Sequence, residues 1–228
     1  MKKVFCCILS LTILLLCGGP AAAEGDTAVH RLLYQGHASL RIVTAEGKVI
    51  YVDPYAGEGY DLPADLILVT HDHYDHNNTK LVKNRNKDCQ VITYKKGLSK
   101  GKYQTFDLGW AVIEAVQAGN NPNHSIKKCV GWIISLSGGV TVYVSGDTST
   151  TDQMAELADR GLSYAFFCCD GIYNMDMEEA VACAKLVNAR CSIPYHIAPG
   201  ELFDADRAEL FDAPGRLILP AGEEIILE

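Results

Sequence analysis

The stretch His71-Asp72-His73-Tyr74-Asp75-His76 gathers three of the chain's seven histidines and two aspartates into six positions. It follows directly on an apolar run of strand length, residues 64–70. In an extended backbone residues two apart face the same way, so His71 and His73 can point at one centre together. Asp75 and His76, one turn later, can face a second centre beside it. Neutral imidazole and carboxylate are donors that zinc, manganese and iron accept. The alternative is an exposed polar turn or a hydrogen-bonded histidine cluster. HxHxDH directly behind an apolar strand is a specific signal for metal chemistry, and it outweighs that alternative.

A site for two cations needs donors from elsewhere in the chain. His30, His37, His124 and His196 remain. His124 lies in a polar loop, residues 121–128, just ahead of a strand. His196 closes the strand-like run 191–197 before a Pro-Gly loop, and Asp147 stands at the end of another, in VYVSGDTS. Loops at strand ends are where a rigid scaffold recruits functional groups. The Asp147 carboxylate can bridge two metals. Taken alone each of these residues is weak; their order behind HxHxDH gives them weight. His30 sits inside an apolar strand and reads as structural. Asp72 either orients a neighbour or caps its loop. Tyr55, Tyr60, Tyr173, Met175 and Tyr195 fall in or near loops, where they either line a pocket or pack. Lys127 and Lys128, close to His124, either meet an anionic substrate or form a solvated turn.

The elements that must carry these groups are mostly strands. Residues 29–35, 38–44, 49–55 and 64–70 are β-rich and separated by Gly, Pro and polar turns. Residues 78–86 form a short helix or loop. Further strands are expected over 89–94, 102–108, 110–118, 130–137 and 140–146. The pattern then changes. Residues 149–161 begin with Ser/Thr capping residues and end in Gly161, which predicts a helix. Residues 162–169 return to strand. Residues 174–190 predict the strongest helix, with Ala182, Ala184, Leu186 and Val187 as its apolar side. Strands over 191–197, 216–220 and 223–227 close the chain. Many strands followed by helix, strand, helix, strand suit a layered α/β sandwich better than an all-β barrel.

The chain has 228 residues, 48% of them hydrophobic and 21% charged, enough for one sizeable core. Residues 1–23 read as an export signal: Lys2 and Lys3, an apolar run over 4–17, a Gly-Gly-Pro break, then Ala21-Ala22-Ala23. The run is too short to span a bilayer, which takes about 20 residues. The expected domains are therefore a signal peptide, 1–23, and one folded domain, 24–228. The alternative is a retained N-terminal anchor, of which lipid attachment at Cys17 is one form, ranked second because Leu16 stands where a small residue is usual. Losing Lys2 and Lys3 leaves 18 basic residues against 28 acidic ones, a net charge of −10. That balance argues against a nucleic-acid partner. The expected partner is a small-molecule substrate, with no membrane contact beyond the signal segment. Six cysteines remain after residue 23: Cys89, Cys129, Cys168, Cys169, Cys183 and Cys191. An exported chain admits a disulfide framework, but their apolar settings favour small core residues. No CxxC supports a ribbon-type zinc site.

The series HxHxDH, His, Asp, His resembles the metallo-β-lactamase fold superfamily over nearly all of residues 24–228. YQGHASLRI, VDPY, ADLILVTHDHYDH and SGDT resemble a narrower branch, that of ascorbate-6-phosphate lactonase and related metal-dependent hydrolases. The resemblance implies an α/β fold, a four-layer αββα sandwich with two divalent metal ions at one edge, zinc first and manganese or iron next. It implies one metal on His71, His73 and His124, a second on Asp75, His76 and His196, and Asp147 bridging. Asp53 resembles an aspartate that hydrogen-bonds beneath the cluster; a plain turn aspartate before Pro54 is the other reading. His37 sits in a Gly-His turn typical of this branch and either faces the site or lies on the surface. The 48 residues from His76 to His124 leave little room for an inserted capping domain. The activity implied is hydrolysis of an ester, lactone, amide or phosphodiester by metal-activated water, with Asp75 placed to help protonate the leaving group. β-Lactam hydrolysis is less favoured. The alternative is a non-hydrolytic protein on the same fold, holding iron for redox chemistry or a metal for binding alone.

Overall fold

The structure is a computed structural model that describes residues 28–228. The expected signal segment, with Cys6, Cys7 and Cys17, lies outside the described residues. Two six-stranded sheets form the scaffold. The first contains β1 (His30–Gly36), β2 (Ser39–Val43), β3 (Val49–Val52), β4 (Ala64–Val69) and β5 (Arg85–Thr93). After a short helix α1 (Tyr94–Gly97) comes a small hairpin, β6 (Leu98–Ser99) and β7 (Lys102–Tyr103). The second sheet contains β8 (Thr105–Asp107), β9 (Val112–Gln117), β10 (Val130–Ser135), β11 (Thr141–Val144), β12 (Tyr164–Cys168) and β13 (Cys191–Tyr195). Helix α2 (Met177–Val187) joins β12 to β13, and α3 (Ala205–Ala208) follows β13. The last strand, β14 (Glu224–Leu227), returns to the first sheet and pairs antiparallel with β1.

Both sheets share one wiring. β1, β2 and β3 pair antiparallel, and β4 and β5 add in parallel. β9, β10 and β11 likewise pair antiparallel, and β12 and β13 add in parallel. The consequence is functional. β1, β3 and β4 in one sheet, and β9, β11, β12 and β13 in the other, all deliver their C-terminal ends to the same edge of their sheet, where ligands of open α/β sheets bind.

Strand alternation builds the core. Leu40, Ile42, Ile50, Val52, Leu66 and Leu68 of the first sheet share one large buried cluster with Ile113, Trp132, Ile134, Val142 and Val144 of the second. Fully burying each such side chain contributes about 1.5–3 kcal/mol. The alternate residues Val49, Tyr51, Ile67 and Val69 face outward and are covered by Val82, Tyr60 and Leu62 in a second, smaller cluster. Loops and a 3-10 turn, Thr79–Leu81, therefore cover that face, whereas α2 packs on β12 in the second sheet.

Three local expectations are corrected. Asp152–Arg160 is a 3-10 helix closed by Gly161 in the left-handed region (φ 61). Its buried residues, Met154 and Leu157, recur every third position, the spacing at which side chains eclipse in a 3-10 turn. In α2 the buried side is Ala180, Cys183, Ala184 and Val187; Ala182 and Leu186 are exposed. The true stripe runs i, i+3, i+4, i+7, set by Asp176, whose carboxylate accepts the Glu179 N–H at the N-cap. Residues 216–220 form no strand; only Arg216 bridges Ser192, and Pro220 lacks the donor a ladder needs. Among the described residues the six cysteines are free. Cys129, Cys168, Cys169 and Cys183 are buried as small core residues.

Candidate metal centre

Every charged or imidazole group of the site follows the C-terminal end of a strand. His37 follows β1, Asp53 follows β3, and residues 71–76 follow β4 through Thr70. His124 follows β9 across a six-residue loop, Asp147 follows β11, and His196 follows β13. Their donor atoms fall into three overlapping groups, each within 4.8 Å: His71, His73 and His124; His37, Asp75, His76 and His196; and His71, His76 and Asp147. The Asp147 carboxylate stands between them. Its Oδ1 lies 3.3 Å from His76 Nε2. Its Oδ2 lies 3.2 Å from His124 Nε2, 3.5 Å from His196 Nε2 and 3.9 Å from His71 Nε2. All seven side chains expected from the sequence thus meet in one place.

The imidazoles are held from behind. The Thr70 hydroxyl donates to Asp53 Oδ2 (2.6 Å), so its oxygen is free to accept from His71 Nδ1 (3.0 Å). His76 Nδ1 donates to Asp53 Oδ2 at 2.8 Å. His124 Nδ1 reaches Asn121 Oδ1 at 3.2 Å, and His196 Nδ1 lies 3.5 Å from Asp170 Oδ2. For His71, His76 and His124 these partners place the ring proton on Nδ1 and leave the Nε2 lone pair to face the centre, whereas His196 Nδ1 makes no hydrogen bond. His73 is turned the other way, its Nδ1 lying 3.1 Å from His124 Nε2. The buried Nε2 atoms of His71, His76 and His196, and Asp147 Oδ1, have no hydrogen-bond partner. Buried polar atoms are almost always satisfied. Several orphans aimed at one point, all of them good cation donors, fit a metal centre.

The backbone is bent to make this arrangement. His37 (φ 53), Asp53 (φ 44) and His196 (φ 47) all adopt the left-handed region, which costs on the order of 1 kcal/mol for a residue with a side chain. Gly146 (φ 63) precedes Asp147, and a Cβ there would lie 2.9 Å from the Val130 carbonyl oxygen and 3.0 Å from Thr70 Cβ. Only glycine admits so close an approach of β11 to the strand carrying HxHxDH.

Electrostatics divides the cluster. Burial, then the neighbouring His76, pushes His71 well below the usual imidazole range. Burial also lowers His196, to about 4, and lowers His73. These rings are neutral, as metal ligation requires. His76 goes the other way: burial lowers it, but Asp147 and Asp53 on either side raise it further. Burial raises Asp75, yet the His37 hydrogen bond and the His76 charge outweigh it and hold the carboxylate ionised. Burial likewise opposes ionisation of Asp147, and His196 and His76 overcome it.

The remaining sequence candidates separate cleanly. Asp53 is fully buried beneath the cluster rather than in a surface turn. His37 is buried and lies 3.2 Å from Asp75 Oδ2. His30 is structural: its Nε2 meets the Ser137 carbonyl and its Nδ1 accepts the Ala45 N–H. Asp72 faces Lys95 (2.8 Å) and the Tyr94 hydroxyl (3.1 Å). Met175 and Tyr195 are core residues, and Tyr60 stacks on Tyr51. Tyr173 lines the cleft over the cluster, a cavity of 730 Å³ that also exposes Tyr74, Pro122 and Asn123. Lys128, but not Lys127, borders a smaller adjoining cavity of 360 Å³. Sequence reasoning missed Thr70, Asn121 and Asp170. Asp170 is fully buried and follows β12. Its Oδ1 accepts the N–H groups of Ile172 and Tyr173 (both 2.7 Å). It thereby fixes the wall of the cleft, with its other oxygen 3.5 Å from His196 Nδ1. The available signal was a third aspartate at the end of an apolar strand, in AFFCCDG.

Residues 31–196 match the sequence model of the beta-lactamase superfamily domain. A metal-dependent hydrolase of Anaeromyxobacter dehalogenans is 28% identical over 213 residues, covering 78% of this chain and 77% of that protein. A crystal structure from Parabacteroides distasonis, described as a candidate metal-dependent hydrolase, superposes with a TM-score of 0.68 at 26% identity, covering 84% of this chain and 92% of the other. A metallo hydrolase from the archaeon Ignicoccus hospitalis shares the fold, with a TM-score of 0.67 at 20% identity over 88% of this chain and 99% of the other.

Proposed function

The chain belongs to the beta-lactamase superfamily and is a metal-dependent hydrolase within it, and we propose that its clustered donors hold two divalent cations. His71, His73 and His124 would hold one, and Asp75, His76 and His196 the other, with the Asp147 carboxylate between them. The donors are nitrogen and oxygen only, which suits zinc, manganese or iron; zinc is our first choice. Bound in this way, a cation pair supplies a hydroxide near neutral pH and polarises a carbonyl or phosphoryl oxygen.

The chain's own groups do the rest. Asp53 and Thr70 fix the rings of His76 and His71. Asp75, held ionised and only partly buried, lines the cleft, where its carboxylate would hold the second cation and accept a hydrogen bond from the attacking water. Tyr74 and Tyr173 at the cleft mouth position the substrate. The substrate class is a small molecule with an ester, lactone, amide or phosphodiester bond.

One observation carries this reading: four imidazole nitrogens converge on a single buried carboxylate. The test is metal analysis of the purified protein, with chromogenic ester, lactone, amide and phosphodiester substrates assayed on wild type and His71→Ala. Two equivalents of metal and turnover abolished by the substitution are expected. Bound metal with no turnover in any class, accompanied by reversible one-electron reduction, would overturn hydrolysis in favour of redox chemistry.

A further inference from the structure

We propose that the cavity beside the main cleft is a subsite for a carboxylate carried by the substrate, held there by Lys128. The inference rests on the hydrolase reading above and narrows its substrate to one with an anionic arm.

The cavity has a volume of 360 Å³ and is lined in part by His71, His73 and His124. His73 and His124 line the main cleft as well, so the two spaces meet over the donors of the first cation. A substrate whose scissile bond sits there reaches into both. The two ends differ in chemistry. The main cleft has Tyr74 and Tyr173 at its mouth, whereas the side cavity is bordered by Lys128, Ser125 and Asn121.

Charge decides which group the side cavity takes. Its one carboxylate is Asp72, and that group is already satisfied. Lys95 Nζ (2.8 Å) and the Tyr94 hydroxyl (3.1 Å) meet Oδ2, and Asn77 Nδ2 (3.4 Å) meets Oδ1. The lysines in ion pairs among the described residues are Lys48 and Lys95; Lys128 has no such partner. The cavity wall therefore carries one uncompensated positive charge, on a chain whose formal net charge is −8. Two neutral donors stand beside it. The Ser125 hydroxyl accepts the Lys127 N–H (3.3 Å) and keeps its own proton to donate, and Asn121 Nδ2 has no partner. A single ammonium with neutral donors beside it matches a singly charged carboxylate. A phosphate is better matched by an arginine fork, and no arginine borders this cavity.

The loop fixes Lys128 relative to the metal donors. Asn121 Oδ1 accepts the N–H groups of Asn123 (3.0 Å) and His124 (2.8 Å). The Lys128 N–H donates to the Ser125 carbonyl (2.8 Å) and closes a turn. Gly119 (φ 94) packs beneath, where a Cβ would lie 2.8 Å from the His124 carbonyl oxygen, an approach only glycine admits. One braced loop thus carries both His124 and the ammonium. Lys127, next in the chain, borders neither space.

The probes are succinate, glutarate and adipate, each matched with the monocarboxylate of equal chain length. Binding is measured by titration calorimetry on zinc-loaded protein. One carboxylate can meet the cations in both members of a pair, so the affinity ratio reports the second carboxylate. Wild type is compared with Lys128→Met, which removes the charge, Lys128→Arg, which keeps it, and Lys127→Met, which removes a charge outside the cavity. In wild type the best dicarboxylate should bind about tenfold tighter than its match, between the few-fold gain of an exposed ion pair and the larger gain of hydrogen bonds to a charged group. The ratio should fall to about twofold or less in Lys128→Met, survive in the other two variants, and shrink with added salt. No preference in wild type, an equal preference in Lys128→Met, or an equal loss in Lys127→Met would overturn the subsite. A phosphonate of the same length that binds more than about tenfold tighter than the dicarboxylate would overturn the carboxylate assignment. Turnover on the substrate panel is read separately. A wild type that hydrolyses the panel without favouring dicarboxylates sinks the subsite alone, and one that favours them but hydrolyses nothing sinks the hydrolase reading alone.

Discussion

Asp53 Oδ2 accepts the His76 Nδ1–H at 2.8 Å while its other oxygen, Oδ1, takes the Thr70 N–H at 2.7 Å. One buried carboxylate thus fixes a ring and anchors the backbone that leads into HxHxDH. Asp53→Asn keeps the shape and removes the charge, and asparagine tolerates the φ of 44. Metal affinity is expected to fall about 10–100-fold, as for other outer-sphere partners. Chelator competition measures it. Unchanged affinity would assign Asp53 to backbone anchoring alone.

Cation binding should be visible as stability. Orphaned nitrogens on His71, His76 and His196 gain partners only when metal binds, so the folded state alone has high affinity. Ligand at 100 times Kd stabilises by about 2.7 kcal/mol, which for a domain of this size shifts Tm by roughly 5–10 °C. Melting curves with and without added Zn²⁺, after chelator treatment, provide the check. Equal Tm values would count against a preformed centre.

Tyr74 and Tyr173 are 78% and 52% exposed at the rim of the cleft. No hydrogen bond joins either side chain to the donor cluster, and the Tyr173 carbonyl accepts from Asn123 Nδ2. Replacing each by alanine should raise KM while leaving kcat within about twofold, the signature of lost uniform binding. Steady-state kinetics on the best substrate of the panel tests this; a fall in kcat with KM unchanged would place the tyrosine in the chemistry.

The clustering of these side chains was legible because the core of the cluster is local. HxHxDH fits into six residues, and alternation along an extended chain already aims two of them together. The strands were legible for the same reason: β4 and β12 are continuous apolar runs with polar residues at their ends. Thr70, Asn121 and Asp170 were not, because each is an ordinary turn residue whose role exists only through a partner ring. Asp170 matters to His196 because β12 and β13 run parallel and side by side, a relation no local pattern records. His37 was ambiguous because a Gly-His turn reads alike at a surface and at a site. The apolar side of α2 was misplaced by a residue or two, since four small residues in six positions offer several stripes. Capping by Asp176 and packing on β12 select one.

Asp65 gives a pH test remote from the metal centre. Its Oδ2 accepts the Val49 N–H at 3.0 Å, at the start of β3, and its Oδ1 accepts Lys48 Nζ at 3.0 Å. Burial raises its pKa, but these two partners together hold it below the usual carboxylate value. Lys48 is 41% exposed, and an ion pair at the surface contributes little. Asparagine keeps an acceptor for the Val49 N–H but loses the charge that strengthens that bond, so Asp65→Asn is expected to cost about 1 kcal/mol. The sign follows from linkage. A folded pKa below the unfolded one stabilises the protein above roughly pH 4, and that stability disappears as pH falls through the folded value. Urea unfolding at pH 7 should show the full difference between wild type and variant, and unfolding near pH 3 a reduced one. A difference independent of pH would mean that the carboxylate charge at Asp65 does not support the β3–β4 pairing.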